Sequence, residues 1–190
     1  AGWLPVDRIS STIQVVAALA PSEAEAGPCM DTSSVFFGAP GLGPRGPTDF
    51  LVHDGYLYIV DEDGDRILRH APGEKHASPY FGNHAGDGLD QLTRPTSMCF
   101  HDGAFLIVDS GNNRILRLVP GEHEASVFLG GGYGDGRINQ LARPSKILVH
   151  EGDLYIVVEA SGNILHIASG EREARIVFPG AFDLWPSNVL

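Results

Sequence analysis

RPTSMCFHDGAFLIVDSGNNRILR, Arg94 to Arg117, decides the fold, because it stands between two close copies of itself. Upstream, Gly46 to Arg69 reads GPTDFLVHDGYLYIVDEDGDRILR, and downstream, Arg143 to His166 reads RPSKILVHEGDLYIVVEASGNILH. A supersecondary unit repeated in this way cannot bury its apolar face alone and is stabilised by stacking on its neighbours. Three landmarks measure the unit. Pro47 to Asp61, Pro95 to Asp109 and Pro144 to Val158 are each 14 residues apart, and from those closing residues to Phe81, Leu129 and Phe178 is 20 each time. Only the joins between units vary in length, which confines the variation to loops.

Inside a unit, Phe50 to Val52, Leu57 to Val60, Ile67 to Arg69 and Ser78 to Phe81 are short apolar runs separated by HDG, DEDGD and PGEKH. Those separators are turn chemistry, so the unit reads as four antiparallel strands. The second strand, LYIV, FLIV and LYIV in the three copies, lacks in-and-out alternation. That is expected of a small sheet whose two faces are both covered by neighbouring sheets. The fold class is therefore all-β, a β-propeller of four-stranded antiparallel blades.

The ends extend the pattern. Gly2 to Asp7 aligns with Tyr56 to Asp61, and Trp185 to Leu190 aligns with Arg143 to Leu148. The expectation is a single domain, 1–190, with blades at 186–190 plus 1–38, 46–82, 94–130 and 143–180. The C-terminal strand would close the N-terminal blade to give four blades; the alternative is part of a larger, six-bladed propeller. Asp7 to Phe37 is 30 residues instead of 20, and the addition falls within the loop 17–32, AALAPSEAEAGPCMDT. Its Glu23, Glu25, Cys29, Met30 and Asp31 are candidate partner-binding residues. Because the first residue is Ala1 and the N-terminal stretch fits the repeat, the chain is expected to be processed, with no surviving signal peptide.

The segment Gly86 to Arg117, GDGLDQLTRPTSMCFHDGAFLIVDSGNNRILR, resembles the NHL repeat: a Gly-rich join, Leu, Arg-Pro, a strand, Asp-Gly, a strand ending in Val-Asp, then Asn-Arg-Ile. The join GDGRINQLARPS, Gly134 to Ser145, is similar to it too. The resemblance covers nearly the whole chain and is strongest in the two central units. It implies a propeller, usually six-bladed, whose relatives include protein-binding and RNA-binding modules, lyases and metal-dependent lactonases.

Composition narrows these classes. The formal net charge is −11, so the field of the molecule repels phosphate backbones and nucleic acid is not expected as a partner. No run approaches the ~18 apolar residues of a transmembrane segment, and the chain reads as soluble. Two cysteines, Cys29 and Cys99, make no disulfide framework and leave the compartment open, an organelle lumen or the secreted pathway being the candidates.

Individual residues yield a short list. Asp61 with Arg66, and Asp109 with Arg114, sit at matched positions flanking a turn, and both members are replaced together in the third unit by Val158 and Asn163. Joint replacement marks a structural ion pair. Asp61 to Asp65 superficially resembles a calcium loop, but Pro72 stands where a bidentate Glu is required, so it reads as a solvated hairpin turn. His53, His101 and His150 each follow the innermost strand, and propeller symmetry carries them to one face near the axis, where they are candidate ligands of a divalent metal. His84, Asp87, Arg94, Tyr133, Asp135 and Arg143, in or beside the joins, are further candidate partner-binding residues. Sorting charges by connection predicts that the face bearing the first-to-second and third-to-fourth turns is acidic and histidine-rich.

No Gly-x-Ser-x-Gly elbow and no His-Glu-x-x-His occurs. The favoured function is a non-enzymatic protein-binding scaffold or subunit of a larger complex, with no cofactor. The alternative is a propeller-type metal-dependent lyase or lactonase-like hydrolase with metal on the axis.

Overall fold

In each of the three described units the first hairpin turns on two residues with positive φ: Asp54 and Gly55, Asp102 and Gly103, Glu151 and Gly152. Such mirror-image turns match the twist of antiparallel strands, which is why an acid followed by glycine recurs there. In the computed structural model, residues 43–131 and 141–180 are described. They form twelve strands in three sheets, each a simple antiparallel meander.

The first sheet holds β1 (Pro47–His53), β2 (Tyr56–Asp61), β3 (Arg66–His70) and β4 (Ser78–Phe81). The second holds β5 (Pro95–His101), β6 (Ala104–Asp109), β7 (Arg114–Leu118) and β8 (Ser126–Gly130). The third holds β9 (Pro144–His150), β10 (Asp153–Val158), β11 (Asn163–Ile167) and β12 (Arg175–Phe178). The landmark pairs are register partners: Pro47 faces Asp61, Pro95 faces Asp109 and Pro144 faces Val158. A register shift directly beside each proline marks a bulge, where a residue without an N–H is tolerated.

The innermost strands meet, β1 against β5 and β5 against β9, so the sheets stack face to face as blades. Between the first and second blades lie Tyr58, Val60, Met98, Phe105 and Ile107; between the second and third lie Leu106, Val108, Ile147, Leu154 and Ile156. β6, in the middle blade, is buried at all six positions. β10 instead alternates half-buried and buried, with Tyr155 and Val157 on the half-buried side. The continuous apolar run FLIV is thus explained by cover on both faces. Full burial of a side chain such as Phe105 or Ile107 contributes about 1.5–3 kcal/mol.

Asp61 and Glu62 correct the reading of a solvated hairpin turn. The β2–β3 connection is a 3-10 turn, Glu62–Gly64, and Asp61 is fully buried at its start. Its left-handed closing residue is Asp65, matched by Asn113 in the second blade. Side chains of Asp and Asn tolerate this conformation better than others. The blade expected from 186–190 plus 1–38, with Glu23, Glu25, Cys29, Met30 and Asp31, lies outside the described residues, as do Tyr133 and Asp135. Among the described residues no helix is long and apolar enough to cross a membrane.

Candidate functional site

The joins that lead into the first and second blades are held by each blade's own Asp–Arg pair. In the second blade Arg114 Nε donates to Asp109 Oδ2 at 2.7 Å, while its other nitrogens donate to the carbonyls of Asp87 at 2.6 Å and Gly88 at 2.8 Å. Asp109 also accepts from the Thr93 N–H at 2.7 Å and from Asn112 Nδ2 at 2.8 Å. Burial pushes the Asp109 carboxyl above its ordinary value, and Asn112, Thr93 and Arg114 pull it back. In the first blade Asp61 accepts from the N–H groups of Arg45 and Gly46 and from Arg66 Nε. In the third blade Asn163 Oδ1 instead accepts from the Gly180 N–H at 2.6 Å, and Val158 is simply buried. These acids and arginines are committed to the framework.

At the same end of the blades, Arg94 and Arg143 open β5 and β9 in the left-handed conformation, φ 49° and 53°. Their side chains line one cleft of about 460 Å³ together with Glu62, Ser110, Thr96 and Glu159. Arg94 pairs with Glu62 of the preceding blade, Nε to Oε1 at 3.0 Å, and Arg143 with Glu159 at 3.4 Å. Both arginine side chains are about two-thirds exposed, 66% and 68%. Two of the candidate partner-binding residues therefore converge. His84 and Asp87 are also exposed in the join before Arg94, although the Asp87 carbonyl serves Arg114.

The three histidines do not converge. His53 faces the second blade and stacks on Phe100, ring centroids 3.6 Å apart. His101 lines a cleft between the second and third blades, and His150 is exposed on the third. Each lies beside the carboxylate of its own turn: His53 with Asp54 and His101 with Asp102 at 3.4 Å, His150 with Glu151 at 4.0 Å. Among the described residues no group of three His, Cys, Asp or Glu gathers at ligand distance. As placed, the three imidazoles do not fit one metal, and no chemical step follows from them.

A different trio does meet. Asp49, Ser97 and Lys146 occupy the same register, two residues past the opening proline, on β1, β5 and β9. Asp49 Oδ2 accepts from Ser97 Oγ at 2.6 Å and from Lys146 Nζ at 2.7 Å, and Ser97 Oγ accepts from the Ile147 N–H at 3.3 Å. One polar chain thus links the innermost strands of all three described blades. The signal was available in their common offset and complementary charges. Ser97 is fully buried and shared between strands, so it is a connector and no nucleophile. Burial also pushes the nearby Cys99 thiol up to about 12, with Asp49 adding to the shift, which keeps it protonated and unreactive.

No family model matches the chain, and no curated protein matches its sequence. Among solved structures it is similar to a catalytically inactive virginiamycin B lyase from Staphylococcus aureus, crystallised with quinupristin. That likeness has 14% identity and a TM-score of 0.51, and covers 73% of this chain and 42% of that one. It is similar to a putative phosphatase from Bacteroides thetaiotaomicron at 17% identity and TM-score 0.52, over 63% of this chain and 34% of the other. A protein of unknown function from the same species follows at 20% identity and TM-score 0.50, over 60% and 32%. The chain spans less than half the length of each. At these identities the likeness establishes the architecture, an all-β fold of propeller type.

Proposed function

We propose that the chain is a non-enzymatic, NHL-type propeller module that binds a protein partner, as a scaffold or subunit of a larger assembly, through the cleft at the join end of its blades. The observation that carries this reading is the convergence of Arg94 and Arg143 on one cleft with Glu62 and Glu159. Both arginines are anchored by their backbones and present exposed guanidinium groups, which suits bidentate contacts to carboxylates on a partner loop. A cleft with both signs of charge, on a molecule of net charge −11, favours a protein surface over a nucleic acid. The reading extends to a fourth blade, because Phe50 on the first blade and Leu148 on the third are about half exposed, at 46% and 56%.

Affinity capture with the full chain from cells that produce it, run beside the double variant Arg94→Glu/Arg143→Glu, tests the proposal. A partner retained by the parent and lost by the variant supports it. Identical partner sets for both chains overturn it.

A second reading, a metal-dependent lyase or lactonase-like hydrolase using His53, His101 and His150, is favoured by the likeness to virginiamycin B lyase, which is a likeness of fold. It requires His53 and His101 to leave the wedges in which they sit and all three imidazoles to converge. Equilibrium dialysis against zinc, manganese or calcium tests it: one bound ion per chain, lost in His101→Ala, supports the enzyme, and no retained ion removes it.

A further inference from the structure

We propose that the wedge between the second and third blades is a binding site for a small aromatic carboxylate, separate from the join-end cleft. The repeat supplies its own control. In the wedge between the first and second blades, five rings interlock: His53, Tyr58, Tyr80, Phe100 and Phe105. His53 stacks on Phe100 at 3.6 Å, Tyr58 lies 4.7 Å from Phe105, and Tyr80 meets Tyr58 at 4.9 Å. Burial raises the pKa of Tyr58 and of Tyr80, as expected where rings exclude water.

The landmark spacings give the equivalents in the next wedge as His101, Leu106, Phe128, Val149 and Leu154. Three aromatic rings are replaced by aliphatic side chains, Val149 standing where Phe100 would cover the imidazole. A cleft of about 630 Å³ lies in this wedge, with Leu106 and Leu154 in its lining. That volume lies within the roughly 300–1,000 Å³ range of small-molecule sites.

Its chemistry selects the ligand. Leu106, Leu154 and Ile167 present a narrow apolar floor, and Phe128 forms a wall. The rim carries two guanidinium groups, Arg117 and Arg172, and two carboxylates, Asp102 and Glu171. Arg117 spends one nitrogen on the Asp102 carbonyl at 3.3 Å, which leaves the rest of its fork available. Arg172 makes no hydrogen bond or ion pair with a described residue. Of the acids, Asp102 lies against His101 at 3.4 Å, and Glu171 is engaged by Arg175 at 3.1 Å. Arg172 and the free part of the Arg117 fork, set over an apolar floor, favour a ligand with one carboxylate and one flat apolar body. The carboxylate would meet Arg117 and Arg172, and the ring would occupy the space that Phe100 and Phe105 fill in the neighbouring wedge.

Binding of 2-naphthoate and of its neutral isostere 2-naphthamide to the full chain, by calorimetry and saturation-transfer NMR, tests the site. Naphthoate is expected to bind at least about tenfold more tightly than the amide, and Arg117→Gln to remove that preference. Val149→Phe/Leu154→Phe, which rebuilds the filled wedge, is expected to abolish binding; should that variant fail to fold, Arg117→Gln decides. Equal affinity for acid and amide, unchanged binding by either folded variant, or no binding of naphthoate at millimolar concentration overturns the proposal. Arg94→Glu/Arg143→Glu is expected to bind naphthoate like the parent, so failure of the partner reading and failure of this one are distinguishable.

Discussion

The backbone N–H of Arg94 donates to Asp65 Oδ1 at 2.8 Å, joining the mouth of the second blade to the β2–β3 turn of the first. Arg143 repeats the bond to Asn113 Oδ1, also at 2.8 Å, between the third blade and the second. In each case both residues are left-handed, with φ between 49° and 53°. A cap residue of one blade thus accepts from the entry residue of the next, and stacking is fixed by a bond as well as by apolar contact.

Since Asn113 performs the task of Asp65, Asp65→Asn is expected to leave stability within about 0.5 kcal/mol of the parent. Asp65→Ala removes the acceptor and places Ala in a left-handed position, so a loss of about 2 kcal/mol is expected. Urea unfolding of the two variants side by side measures the difference.

Asp109→Ala leaves the buried Arg114 without its carboxylate, and a loss of about 3–5 kcal/mol is expected. The double change Asp109→Val/Arg114→Asn copies the third blade's Val158 and Asn163. It is expected to cost less than the sum of its single changes by at least about 1 kcal/mol, because the unpaired charge has gone. A double-mutant cycle in denaturant gives the coupling, and strict additivity contradicts the clamp described here.

Gly130 closes the second blade at φ +83°, and an added Cβ would meet the Asn113 carbonyl oxygen and the Arg114 Cα at 3.1 Å. Neither backbone atom can swing aside. Gly130→Ala is expected to lower the midpoint of thermal unfolding by several degrees, whereas Ala at Gly121, where nothing stands within 4 Å, carries only the conformational cost of about 1–2 kcal/mol.

His166 Nε2 lies 2.7 Å from Asp153 Oδ2, and this hydrogen bond holds the Asp153 carboxyl below the ordinary carboxylate range, helped by the Ser169 N–H. A depressed acid stabilises the fold at neutral pH, above its unfolded value, and the contribution disappears as pH falls through its folded value, below pH ~4. A carboxyl-detected NMR titration is expected to place Asp153 below the ordinary aspartate value. In His166→Gln its midpoint is expected to rise; no change would show that His166 is not the cause.

The chain's own repetition determined the blades. Strand runs, the opening prolines, the acid–glycine hairpins and the Asp–Arg clamp all depend on residues within one unit or in the join that leads into it, so comparing one copy with the next exposes them. Arg94 and Arg143 were legible as candidates for the same reason. What lies between blades was not. Asp49, Ser97 and Lys146 are separated by about 48 residues each and meet only because β1, β5 and β9 stand side by side. The three histidines show the same limit in reverse: equal offsets suggested convergence, yet His53 stacks on Phe100, His101 lines the next cleft and His150 is exposed, since strand pleating and blade tilt, which no spacing encodes, decide each ring's direction. Tertiary structure alone brought two small departures from the repeat, Leu106 and Leu154, into the lining of one cleft, because whether a lost ring leaves space depends on what the facing blade puts opposite it.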